Sequence, residues 1–118
     1  MDAEGLKELF RPFGGVTVRR MFGGQGIYAD GLCFAIELRG EVFLKVDPDS
    51  QPEFAAAGSK PFTYNAREKE RTMAYWRLVE SAYDDEDELR RWARLGFGAA
   101  RRAAAAKGNG RSKKKNEK

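Results

Sequence analysis

The chain opens with apolar residues at helical spacing. Leu6, Leu9, Phe10 and Phe13 follow an i, i+3, i+4, i+7 pattern, which predicts a helix over 2–11 with Asp2 as its cap and Pro12, Gly14 and Gly15 as its stop. The apolar period then changes to two, and strands are expected over 16–22, 25–29, 32–38 and 42–46. Asp30-Gly31 is the strongest local signal, a two-residue type I′ pair between apolar runs. Such a turn sets Ile27 opposite Phe34 and Ala29 opposite Leu32, and gathers Ile27, Ala29, Leu32, Phe34, Ile36 and Leu38 on one face. A two-residue loop in Arg39-Gly40-Glu41 would bring Glu41 and Lys45 onto that face. A three-residue loop adds Val42, Leu44 and Val46 instead, and is the expectation. The reverse face then reads Tyr28, Cys33, Ala35, Glu37 and Phe43. The first hairpin, around Gly23-Gly24, shows no clean register, and a bulge at one of the glycines is expected.

In the second half, Ser50-Gln51-Pro52-Glu53 reads as a capping box and Gly58 as the stop of a short helix. Strands are expected over 61–64 and 73–79, with a charged connection over 65–71. The acidic run Asp84-Asp85-Glu86-Asp87-Glu88 fits the positive end of a following helix, with nothing converging on it to make a metal site. Leu89, Trp92, Ala93, Gly96, Ala99, Ala100 and Ala103 form the inward stripe of that helix. The order α-β-β-β-β-α-β-β-α predicts an α+β two-layer sandwich, an antiparallel sheet with helices on one face. One domain over 1–106 and a disordered basic tail over 107–118 are the expected organisation.

Charge separates the two parts. From Arg101 onward there are eight basic residues and one acidic, whereas the first 100 residues hold 14 basic and 17 acidic. The net charge of +4 and the pI near 9.3 therefore belong to the tail. Arg111, Lys113, Lys114 and Lys115 are the candidate nucleic-acid contacts, a role set against plain solvation of the tail. No apolar run approaches a membrane span, and the start Met1-Asp2-Ala3-Glu4 has no signal-like apolar stretch, so a cytoplasmic protein with no membrane contact is expected.

The chemistry is thin. The chain has no histidine and one cysteine, which removes the commonest general base and metal ligand and any internal disulfide. No catalytic residue, metal site or cofactor is expected. Gly24-Gln25-Gly26-Ile27-Tyr28-Ala29 spells a dinucleotide fingerprint, but a strand and hairpin follow it where the fingerprint needs a helix. Cys33 in mid-strand reads as packing rather than as an activated thiol.

The run Arg20-Met21-Phe22-Gly23-Gly24-Gln25-Gly26-Ile27-Tyr28 resembles the opening motif of the TfoX N-terminal domain family. Leu44-Lys45-Val46-Asp47, Pro61-Phe62-Thr63-Tyr64, Met73-Ala74-Tyr75-Trp76 and the Leu89, Trp92, Ala93 helix agree with it. The resemblance spans roughly residues 3–104, and departs from the family at Val79, where relatives often have proline. It implies a YgaC/TfoX-N-like fold, structural roles for Met21, Phe22, Gly23, Gly24, Gly26, Tyr28 and Trp76, and a bacterial regulatory domain linked to competence genes. It supplies no catalytic set. The expected function is a non-enzymatic domain acting through protein contacts, as a homodimer through the open sheet face or a sheet edge. The alternative is a nucleic-acid accessory binder using the tail with Arg19 and Arg20. The candidate interaction surface is Arg19, Arg20, Tyr28, Cys33, Phe43 and Tyr75.

Overall fold

The computed structural model describes residues 1–21, 23–66 and 69–116, with side chains for 1–21, 23–63 and 74–107. Phe22 of the expected motif lies outside the described residues. The elements run α1 (Ala3–Leu9), β1 (Thr17–Met21), β2 (Gly24–Ala29), β3 (Leu32–Leu38), β4 (Glu41–Lys45), α2 (Gln51–Ala56), β5 (Pro61–Ala66), β6 (Lys69–Arg77), a 3-10 turn (Glu80–Tyr83) and α3 (Glu86–Asn116). The strands make one six-stranded sheet in the order β1-β2-β3-β4-β6-β5, every pairing antiparallel. Leu6 of α1, Phe10 at its C-terminal end, Phe54 of α2 and Leu89, Trp92 and Ala93 of α3 share one buried cluster with Ile27, Ala35, Val42 and Leu44 of the sheet. The expected α+β sandwich is what forms.

Local chemistry explains the element ends. The Asp2 carboxylate accepts from the Gly5 amide at 2.8 Å and caps α1. Asp85 caps α3 by accepting from the amides of Asp87 and Glu88, at 2.9 and 3.1 Å, so the acidic run takes the helix-start role expected of it. The capping box of α2 does not form, because the Ser50 side chain turns back instead of forward. Its Oγ accepts from the Asp47 amide at 3.1 Å while Asp47 Oδ1 accepts from the Ser50 amide at 3.0 Å. Glu53 pairs with Arg91 of α3 instead.

Between β2 and β3 the register departs from the expectation at one place. Ala29 pairs with Leu32 across the Asp30-Gly31 turn, and Tyr28 with Cys33, but Ile27 then pairs with Ala35 rather than Phe34. Phe34 is an extra residue on β3, a bulge that lets it and Ala35 both face the helices, each fully buried. Phe34 fills the junction of α1 and α3, its ring 5.5 Å from Phe10, 5.0 Å from Phe13 and 5.9 Å from Phe97. Beyond the bulge the parity of β3 is reversed. Ile36 and Leu38 turn away from the helices, and Glu37 turns toward them. Among the described residues β1 pairs with β2 without a shift from Thr17↔Tyr28 to Met21↔Gly24, so the bulge expected at Gly23-Gly24 does not appear in the paired strands.

That reversal also corrects the next turn. Leu38 pairs with Glu41, so the loop is the two residues Arg39-Gly40, both at positive φ, +52° and +85°, as a type I′ turn requires. Val42, Leu44 and Val46 reach the core as expected, through the bulge rather than a longer loop. The β5–β6 strands extend through much of the expected charged connection over 65–71.

Helix α3 lies close on the sheet because Gly96 has no side chain. A Cβ there would sit 3.1 Å from the Phe34 carbonyl oxygen and 3.2 Å from Leu44 Cβ. Leu89 through Ala100 of the expected stripe are inward, while Ala103 is exposed. The backbone helix is described to Asn116. The alanine run Ala103-Ala104-Ala105-Ala106 is a strong propagator of an anchored helix. Just before that run, Arg102 grips Asp47 with Nε to Oδ2 at 2.6 Å and Nη2 to Oδ1 at 3.0 Å. That guanidinium, assisted by the Ser50 amide and hydroxyl, outweighs burial and holds the Asp47 carboxyl down at about 2.

Two outcomes follow. Gly96→Val destabilises by about 1–3 kcal/mol through overpacking, read as a lowered Tm and a lower denaturant midpoint. For Asp47 the folded carboxyl has the lower pKa, so its contribution is complete above the unfolded value near 3.8 and fades as pH falls toward about 2. Asp47→Asn costs about 1 kcal/mol at neutral pH, since Arg102 is half-exposed and screened. The Tm difference from the parent protein narrows between pH 4 and pH 2.

Candidate functional site: the helix-free sheet face

Side chains alternate across a strand, so the pairings fix what lies on the face away from the helices. Arg19 sits opposite Gly26, Tyr28 opposite Cys33, Ile36 opposite Phe43 and Lys45 opposite Tyr75. Of the expected interaction surface, Arg19, Tyr28, Cys33, Phe43 and Tyr75 are brought together here. Arg20 is not. It pairs with Gln25 on the other face, because consecutive strand residues point to opposite sides. Ile36, Lys45 and Phe62 join the face and were missed in the sequence. The bulge at Phe34 conceals Ile36, and Phe62 reaches Phe43 across β6 with ring centroids 5.1 Å apart.

The face does not present the bare apolar patch that its composition suggests. Ile36 and Phe43 are 6% and 5% exposed although no described helix covers them. Their neighbours close over them, and the surface that meets solvent is a row of cations and aromatic rings. The Arg19 guanidinium lies 5.5 Å from the Tyr28 ring centroid, and the Lys45 ammonium 5.3 Å from that of Tyr75. Between the pairs, the Tyr75 hydroxyl donates to Cys33 Sγ at 3.8 Å, and the thiol donates to the Ala35 carbonyl at 3.4 Å. Gly26 makes room for this arrangement. A Cβ there would sit 3.0 Å from the Tyr28 ring, 3.3 Å from the Met21 methyl and 3.5 Å from the Cys33 sulfur.

Burial first, and then the adjacent thiol, pushes the Tyr75 hydroxyl well above the usual tyrosine range. Tyr75 is therefore a lasting donor rather than a base. Among the described side chains of this face the one acid, Glu41, is neutralised by Arg77 at 2.9 Å, which leaves Arg19 and Lys45 as its free charges. Among the described residues no group of three or more Cys, Asp or Glu is placed to hold a metal ion, and no helix is long and apolar enough to cross a membrane. The tail side chains Arg111, Lys113, Lys114 and Lys115 lie outside the described ones.

The helix-facing side has a second feature. Glu37, 5% exposed, accepts from Gln25 Nε2 at 2.9 Å and from the Gly40 amide at 2.6 Å. It forms the inner end of a groove of about 770 Å³ along β1 and β2, with Val18, Arg20, Met21 and Gln25 among its walls. Glu37 was expected on the reverse face and arrives here through the bulge.

These features define an α+β domain with one sheet face packed under helices and the other dressed in cation–aromatic pairs. The TfoX N-terminal domain model matches residues 8–100, and the chain belongs to that family. No curated protein matches the chain by sequence. Met21, Gly23, Gly24 and Gly26 form the β1–β2 hairpin, Tyr28 lies on the helix-free face, and Trp76 packs on the helix side against Phe54 at 6.5 Å.

Replacing Tyr75 by Phe is expected to remove a tyrosine that ionises above the usual tyrosine range in an alkaline absorbance titration while leaving the fold intact. The raised folded pKa makes this contribution complete below the unfolded value near 10. It fades as pH rises above that value.

Proposed function

We propose that this domain is a non-catalytic regulatory module that works through protein contacts at its helix-free sheet face, in the transcription-linked setting the family resemblance implies. The observation that carries this reading is the pairing of Arg19 with Tyr28 and of Lys45 with Tyr75 on a face with no helix over it. Aromatic and arginine side chains are the groups that most often anchor protein interfaces. A nucleic-acid accessory role through the tail is the second reading, favoured by the concentration of positive charge after Arg101.

One comparison separates the two. Full-length protein is titrated against a labelled DNA duplex across a salt series, beside a variant with Arg111, Lys113, Lys114 and Lys115 changed to Gln. The lead reading expects weak binding that vanishes with salt and with the tail charges. It also expects Lys45→Glu bait to lose the protein captured by the parent bait. Salt-resistant DNA binding that survives the tail changes and fails on Lys45→Glu overturns it.

A further inference from the structure

β1 is an edge strand of the sheet, and every residue in it except Val18 is exposed. Among the described residues it makes no strand pairing other than that with β2, and no further backbone hydrogen bond of Thr17–Met21 is present. Such an edge offers a row of unsatisfied N–H and C=O groups that another strand can complete.

Charge guards this edge, and the guard has one sign. Arg19 and Arg20 are both exposed, and neither forms an ion pair among the described residues. Two copies pairing through this arginine pair would set like charges against each other. An acidic strand meets the opposite situation. Arg19 projects to the helix-free face beside Tyr28, and Arg20 to the groove side beside Gln25. Adjacent residues of an incoming strand also point to opposite faces, so two consecutive carboxylates would meet both arginines. Met21, 38% exposed, on the Arg19 face and Val18 in the groove on the Arg20 face supply apolar contact on either side.

We propose that the β1 edge accepts an extended acidic segment of a partner protein as a seventh strand, with consecutive carboxylates paired to Arg19 and Arg20. The proposal rests on the protein-contact reading above and names the chemistry of the partner.

The test uses the full-length chain and a blocked peptide of about eight residues, two adjacent glutamates at its centre and Val and Thr on either side. The expected result is slowed amide exchange and shifted backbone resonances confined to Thr17–Met21. Affinity falls at least about tenfold in the Arg19→Gln, Arg20→Gln double variant, and by a similar factor when the glutamates become lysines. N-methylation along either edge of the peptide is also tested, and the methylation that removes the pairing edge abolishes binding. Equal binding of the lysine peptide, or indifference to methylation of both edges, overturns the proposal. So does a concentration-dependent dimer protected at Thr17–Met21, which assigns the edge to a second copy. Failure of the peptide while Lys45→Glu still abolishes partner capture overturns this proposal alone. Failure of both removes the protein-contact reading as well.

Discussion

The placement of Phe34 governs the rest of the structure. A strand offers one side chain in two to each face, and the junction of α1 and α3 takes Phe34 and Ala35 in succession. The chain meets that demand with one unpaired residue. The stabilisation comes from an aromatic cluster in which Phe34 touches Phe10, Phe13 and Phe97, and buried rings of this size dominate core energetics. The cost is a break in the ladder. Every later assignment on β3 and β4 inherits the change of parity, including which residues form the helix-free face.

Much of this was legible beforehand. The element order, the type I′ turn at Asp30-Gly31, the capping by Asp2 and Asp85 and the small-residue stripe of α3 all follow from local chemistry. Local rules also place Tyr28, Cys33 and Phe43 on a common face, since Tyr28 and Cys33 precede the bulge and Phe43 follows from its own strand. The bulge itself was not legible. Ile27 to Leu38 reads equally well as an unbroken alternation, and only the shape of the helical layer decides against it. The same error of parity misplaced Ile36, Leu38, Ala35 and Glu37, and was absorbed by a compensating error in the length of the Arg39-Gly40 turn. Arg20 was grouped with Arg19 by adjacency in sequence, although strand geometry separates adjacent residues.

The two faces of the sheet solve the problem of water differently. One is sealed by helices, with Gly96 setting how near α3 can come. The other is sealed by its own side chains, with Ile36 and Phe43 under a cover of rings and cations. A face closed in this way carries little exposed apolar surface for indiscriminate association. What it displays is charge in fixed positions, against a body whose net charge is negative. A contact made there would be set by geometry and sign more than by hydrophobic area.

The two tight turns that flank β3 bear on the order in which the molecule assembles. β2, β3 and β4 form a meander whose pairings are close in sequence, and such local structure closes early. Phe10 and Phe13 at the end of α1 cover one side of Phe34, but Phe97, which covers its other side, and Gly96, which lies over Leu44, belong to α3 at the far end of the domain. During synthesis the meander and α1 therefore exist before the α3 part of the lid, with Leu44 exposed to solvent until that helix is made. That interval, rather than the finished fold, is when this protein is most open to misassociation.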